Sequence, residues 1–172
     1  ELIVNGLFTC VTNVNFDKKA VDAITTQVQS EKNRLAAEAG ISAAADLPLG
    51  GFWTDNEDIR SLKSLILFGL RGMAAYAYHA RVLGKTDERI DAFFVKALAA
   101  LATESSVDTL LSLTLEVGEV NLICMGLLDG ANTGAYGTPA PTEVTLTVES
   151  GPFIVVSGHD LRDLETILKQ TE

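Results

Sequence analysis

His159 stands where an imidazole could do chemistry. It follows Phe153-Ile154-Val155-Val156-Ser157-Gly158 and precedes Asp160-Leu161. The unbroken apolar run Phe153–Val156 reads as a strand buried on both faces. Gly158 permits a sharp turn, and Leu161, Leu164, Ile167 and Leu168 then recur at helical spacing. His159 is therefore expected at the carboxyl end of a strand and the mouth of a helix, where open α/β sheets bind ligands. A neutral imidazole there suits iron, zinc or copper, or general acid–base work, and its second nitrogen needs an acceptor. Asp160 or Asp163 could supply it, although Asp160 and Ser157 can equally cap the helix, the commoner task for such residues.

The other candidates are plainer. His79 lies one turn before a predicted helix end, where it would meet the helix dipole and the last carbonyls. Cys10 and Cys124 sit in apolar helical patterns and read as buried free thiols, so no disulfide framework is expected and a reducing, cytoplasmic compartment fits. Glu57/Asp58 and Glu116/Glu119 read as solvated faces or dipole partners. No P-loop, dinucleotide glycine fingerprint, CxxC cluster or Ser-His-Asp order occurs. No residue is assigned a catalytic role.

The elements that would position these residues are mostly helical. Residues 1–14 read as the end of a helix with Leu2, Ile3, Leu7, Phe8 and Val11 on one face. Asp17 caps a second helix to about Ala39, stopped by Gly40, and 41–56 form a loop. A long helix from Glu57 to Leu83, closed by Gly84, carries Leu62, Leu65, Ile66, Leu70, Met73, Ala74 and Ala77 at helical period. Within it, Gly69 and Gly72 are expected to allow close helix packing. Asp87 opens a helix to about Glu104, and Ser106 caps another to about Leu128 or Ala131. Gly130, Asn132, Gly134, Gly137, Pro139 and Pro141 mark a boundary, after which Val144, Leu146 and Val148 alternate as in a half-exposed strand. A weak repeat lays Leu2 to Asp17 over Phe93 to Asp108.

The expected fold is thus mainly α: antiparallel helical bundles, two of three helices with the first incomplete, followed by the start of an α/β domain. The division is 1–135, helical, and 136–172, a linker strand and first strand–helix unit. With Glu1 followed at once by Leu2-Ile3-Val4 in helical register, the chain reads as a piece of a longer protein.

Bulk properties narrow the partners. A net charge of −10 and a pI near 4.6, with no basic patch, argue against nucleic acid. Hydrophobic residues make up 47% and mean hydropathy is +0.23, enough for a sizeable core and for apolar surface that could self-associate or meet a partner. The stretch Leu62–Leu83 contains Lys63, Arg71, His79 and Arg81, so it reads as a buried helix, not a membrane span.

Three stretches together resemble one family. They are Leu7-Phe8-Thr9-Cys10-Val11-Thr12-Asn13-Val14-Asn15-Phe16-Asp17; Gly69-Leu70-Arg71-Gly72-Met73-Ala74-Ala75-Tyr76-Ala77 with Val82-Leu83-Gly84; and Ser157-Gly158-His159-Asp160-Leu161 followed by Leu168-Lys169-Gln170-Thr171-Glu172. In this order they look like the hybrid cluster proteins, also called hydroxylamine reductases or prismane proteins. The likeness covers nearly the whole chain, least so residues 41–56.

That resemblance implies a helical domain of two three-helix bundles followed by two α/β domains. It implies a conventional 4Fe-4S cluster on an N-terminal cysteine motif. It also implies a hybrid iron–sulfur–oxygen cluster ligated by one histidine, two glutamates and four cysteines. His159 matches the ligating histidine; the first glutamate ligand is expected soon after Glu172, and Cys10 and Cys124 match no ligand. The parent enzyme would take an electron donor and reduce hydroxylamine, with nitric oxide as the alternative substrate. This piece alone is expected to hold no cluster and to be inactive. A carbon monoxide dehydrogenase-like cluster enzyme and a non-catalytic helical interaction module are the competing readings.

Overall fold

The computed structural model describes residues 1–11, 16–47, 50, 56–103, 106–158 and 160–172. Among them six helices follow one another: α1 (Leu2–Thr9), α2 (Lys18–Glu38), α3 (Glu57–Val82), α4 (Glu88–Thr103), α5 (Val107–Tyr136) and α6 (Leu161–Thr171). The expectation of a mainly α fold is met.

Helix ends follow local chemistry. Asp17 Oδ1 accepts from the Lys19 and Ala20 amides at 2.8 and 3.4 Å, opening α2. Asn56 accepts from Asp58 N at 2.9 Å for α3, and Ser106 Oγ from Thr109 N at 3.4 Å for α5. Each satisfies an amide that the first turn leaves without a helical partner. Both glycine stops behave alike. At Gly84, φ is +74° and Lys85 N donates to Ala80 O at 2.9 Å. At Gly40, φ is +66° and Ile41 N donates to Ala36 O at 3.0 Å. A side chain in that left-handed conformation would be strained, so glycine is the natural stop.

Helices α3, α4 and α5 form a three-helix bundle. Arg81 pairs with Asp91 across the α3–α4 turn, and Lys96 with Glu116 at 2.6 Å between α4 and α5, so sequence neighbours run antiparallel. Gly69 faces Val117, and Cys124 Sγ lies 3.5 Å from Met73 O, so α3 and α5 run parallel. The core holds Ile66, Leu70, Met73, Phe94, Ile90, Leu110 and Cys124. Helix α1 packs on α3 and contributes Val4 to this core, whereas α2 packs on α1 and buries only Ala36. Val4, absent from the apolar face expected for α1, is its one fully buried residue. On α3, Leu65 belongs to the expected stripe yet points outward.

Two expectations need correction. Helix α5 runs past Leu128 and Ala131 to Tyr136 and ends at Gly137, φ +85°. Ala131 is buried, and its packing holds a turn that Gly130, Asn132 and Gly134 would disfavour alone. The strands are not formed either. Residues 137–158 carry no helix or strand, and Phe153, Ile154 and Val155 are 71%, 69% and 80% exposed. A strand buried on both faces needs ladder partners, and the described residues offer none. The expected start of an α/β domain is therefore not shown among the described residues, where α6 follows this stretch as a helix without a strand.

Helix α5 is also long and apolar enough, by length and composition, to cross a bilayer. It nevertheless carries Asp108, Glu116, Glu119 and Asp129, and its Leu110, Leu113, Val117, Val120 and Cys124 lie in the bundle core.

Candidate functional site

His159, the residue singled out from sequence, lies outside the described residues, as do Asn13, Val14 and Asn15 of the first family-like stretch. Its neighbour Asp160 is placed. Asp160 is the N-cap of α6: its Oδ1 accepts from Arg162 N at 2.8 Å and Asp163 N at 3.2 Å. Its other oxygen, Oδ2, lies 2.7 Å from His79 Nδ1, the distance at which an imidazole N–H donates to a carboxylate. The cap role expected of Asp160 is realised, and its second oxygen meets His79; its expected pairing with His159 lies outside the described residues.

His79 comes from the last turns of α3, where Arg81 is the other basic residue beside the helix carboxyl end. Its ring is held edge-on by Phe8 (centroids 5.4 Å apart) and Tyr78 (5.7 Å), and those two rings stack at 4.5 Å. Phe8 arrives on α1, so three helices meet at this imidazole. His79 and Asp160 side chains are only 21% and 23% exposed, which keeps the pair largely out of water.

Around the pair lies a pocket of about 70 Å³ lined by His79, Leu83, Leu128, Asn132, Asp160, Leu161 and Arg162. It gathers the carboxyl ends of α3 and α5 and the amino end of α6. Beside it, Tyr136 OH donates to Glu165 Oε2 at 3.2 Å, and Arg162 reaches the same oxygen at 2.8 Å. Lys169 pairs with the other Glu165 oxygen, and its hydrogen bond leads the effects that hold this carboxyl below the usual range.

The sequence offered no sign that His79 and Asp160 meet, since each had a sufficient local role at a helix end. Only the parallel course of α3 and α5, which brings Leu83 and Leu128 to one end, creates the seat for α6.

The cysteines differ from each other. Cys124 is fully buried, as expected, and burial, then the charges of Asp87 and Asp91, push its thiol up to about 11. Cys10 is exposed, contrary to expectation, because it stands just past the end of α1, with Sγ 3.5 Å from Gly6 O. Among the described residues no three His, Cys, Asp or Glu side chains converge as metal donors. An iron–sulfur cluster needs thiolates, and a buried thiol at the back of α5 facing a carbonyl cannot serve. The described side chains do not by themselves fit such a cluster.

The sequence model of the Prismane/CO dehydrogenase family matches residues 1–172. Among curated relatives, a hydroxylamine reductase of Desulfovibrio desulfuricans is 45% identical over 100% of this chain and 35% of its own length. One from Desulfitobacterium hafniense is 42% identical over 100% of the chain and 36% of its own length. One from Methanosarcina mazei is 39% identical over 100% and 35%. The chain thus spans about 35% of the length of the relatives it matches.

Proposed function

Because the chain belongs to the Prismane/CO dehydrogenase family, we propose that it is the helical segment of an iron–sulfur oxidoreductase that reduces hydroxylamine. The observation that carries this reading is identity of 39–45% along the whole chain to proteins named hydroxylamine reductase. In that reaction two electrons and two protons cleave the N–O bond, leaving ammonia and water; nitric oxide is the alternative substrate in the cell. A hybrid iron–sulfur–oxygen cluster, when bound, supplies the metal site and relays electrons.

This chain's contribution is structural with one exception. The α3–α4–α5 bundle gives a rigid base, α6 is seated on it through Asp160, and His159 next to that cap is assigned as the single cluster ligand from these residues. The remaining ligands, the second, 4Fe-4S cluster and the contact with an electron donor are assigned to the rest of the parent protein. On this reading the 172 residues alone hold no iron and have no activity. A cytoplasmic location is proposed with it, on the strength of two cysteines that form no disulfide with each other.

Replacing His159 by Ala in the full-length protein, purified anaerobically, tests the assignment. The hybrid-cluster spectrum is expected to vanish while the 4Fe-4S signal persists; survival of both would remove His159 from the ligand set. A colourless, iron-free full-length protein would instead favour a helical interaction module. The exposed Leu111, Leu115, Leu122 and Met125 on α5 give that second reading its support. A carbon monoxide dehydrogenase-like activity, the third reading, is separated by assaying carbon monoxide oxidation beside hydroxylamine reduction.

A further inference from the structure

We propose that His79 is a positioning residue: by holding Asp160 it fixes where the start of α6 sits on the helical bundle, one residue along the chain from the proposed ligand His159. Its importance for the reaction rests on the assignment of His159 above, whereas the contact itself does not.

The single carboxylate of Asp160 joins two helices. Oδ1 closes the first turn of α6 through the Arg162 and Asp163 amides, and Oδ2 meets His79 Nδ1 at 2.7 Å. The imidazole cannot swing aside freely, because Phe8 and Tyr78 pack against it edge-on from α1 and α3. The chain leading to this point gives no such guidance. Residues 137–158 are exposed throughout, pair with nothing regular, and end at Gly158 with φ +119°. A segment of that length leaves its far end many positions, and the entropy of confining it must be offset where it lands.

Among the described residues, landing is provided by the His79–Asp160 pair, by Leu161 in the pocket with Leu83 and Leu128, and by Tyr136 with Glu165 and Arg162. The apolar contact is non-directional, and Tyr136–Glu165 lies on the exposed side a full turn into α6. Of these contacts, the His79–Asp160 pair is both directional and largely shielded from water, and it is next in sequence to residue 159.

The experiment compares His79→Ala, His79→Asn and Asp160→Asn in the full-length protein by hydrogen exchange and by electron paramagnetic resonance of the hybrid cluster. With His79→Ala, exchange at the Arg162 and Asp163 amides is expected to rise on the order of tenfold, as for loss of a charge-assisted hydrogen bond. The amides of Ile66 to Ala77 should stay protected, which shows that the bundle is intact. The hybrid-cluster signal should persist but shift. His79→Asn keeps a donor near the Nδ1 position and should return both readouts toward the parent's values. Asp160→Asn keeps the cap acceptor but turns an amide toward His79 in place of Oδ2, and should shift the signal with α6 still protected.

Unchanged exchange in His79→Ala overturns the proposal. So does raised exchange with no spectral shift, provided that His159→Ala abolishes the signal; the contact is then structural only. If His159→Ala leaves the signal intact, the ligand assignment falls, and the exchange result alone decides whether His79 fixes the start of α6.

Discussion

A Cβ added to Gly69 of α3 would stand 2.8 Å from Val117 Cγ1 of α5. The two parallel helices therefore approach as closely as a missing side chain allows, and this level of the bundle depends on glycine. Gly72, three residues on, meets nothing within 4 Å. The sequence expectation of close packing holds at the first glycine and not at the second.

Gly69→Ala is expected to destabilise the protein by about 1–3 kcal/mol through overpacking. The cost should shrink in a Val117→Ala background, since the clashing methyl is gone. Gly72→Ala should be neutral or stabilise by up to about 1 kcal/mol, the helix preference of Ala over Gly. Urea unfolding of the four variants checks this; equal losses at Gly69 and Gly72 would contradict the packing account.

Phe94 and Leu122 test what burial means here. Phe94 is 1% exposed in the core, and Leu122 is 69% exposed on the outer face of α5. Phe94→Ala should cost about 3–5 kcal/mol, as for other large-to-small core changes. Leu122→Ala should change stability by less than about 0.5 kcal/mol unless another surface covers it. A large loss at Leu122 would identify this face as buried in the protein's working assembly.

The two thiols should separate cleanly in alkylation. At pH 8 iodoacetamide is expected to label Cys10 quickly, because that residue is exposed. Cys124 should react only in denaturant, since the thiolate is the nucleophile and its thiol is pushed up to about 11 by burial first and by Asp87 and Asp91 next. Mass spectrometry of peptides after timed labelling reads both rates.

Asp87, before α4, carries a pH dependence of known sign. The side-chain hydrogen bond from Arg89, then the Arg89 backbone amide, hold its carboxyl down to about 2. A carboxyl lowered on folding adds stability that is fully present above its unfolded pKa and is lost as pH falls toward the folded value. Asp87 should therefore titrate near 2 by NMR, and Arg89→Met should move it back toward the ordinary carboxylate range. An unmoved titration would show that the exposed pair does not persist in solution.

Much of this architecture was legible because its causes are local. Asp17 and Ser106 cap from within their own first turns, and Gly40 and Gly84 stop helices by adopting a backbone that other residues resist. The apolar period of α3 places Ile66, Leu70, Met73, Ala74 and Ala77 inward, as read. Leu65 escaped that logic because the stripe's edge is set by which neighbour arrives beside it. Asp160 as a cap was legible, and His79 as its partner was not, because nothing local to either residue requires the other.

The sequence by itself determined the helices, their main limits and the family, since caps, glycine stops and apolar period act over a few residues, and motif order survives without coordinates. Only the tertiary structure decided which end of α5 would be extended, which thiol would be buried, and that Val4 would enter the bundle core. It also decided that Phe153–Val156 stands exposed rather than forming a strand. Burial, unlike capping, is a property of what lies opposite: the same apolar run is core beside a partner and surface without one. The meeting of His79 with Asp160 belongs to the same class, created by parallel packing of α3 and α5 that no single segment specifies.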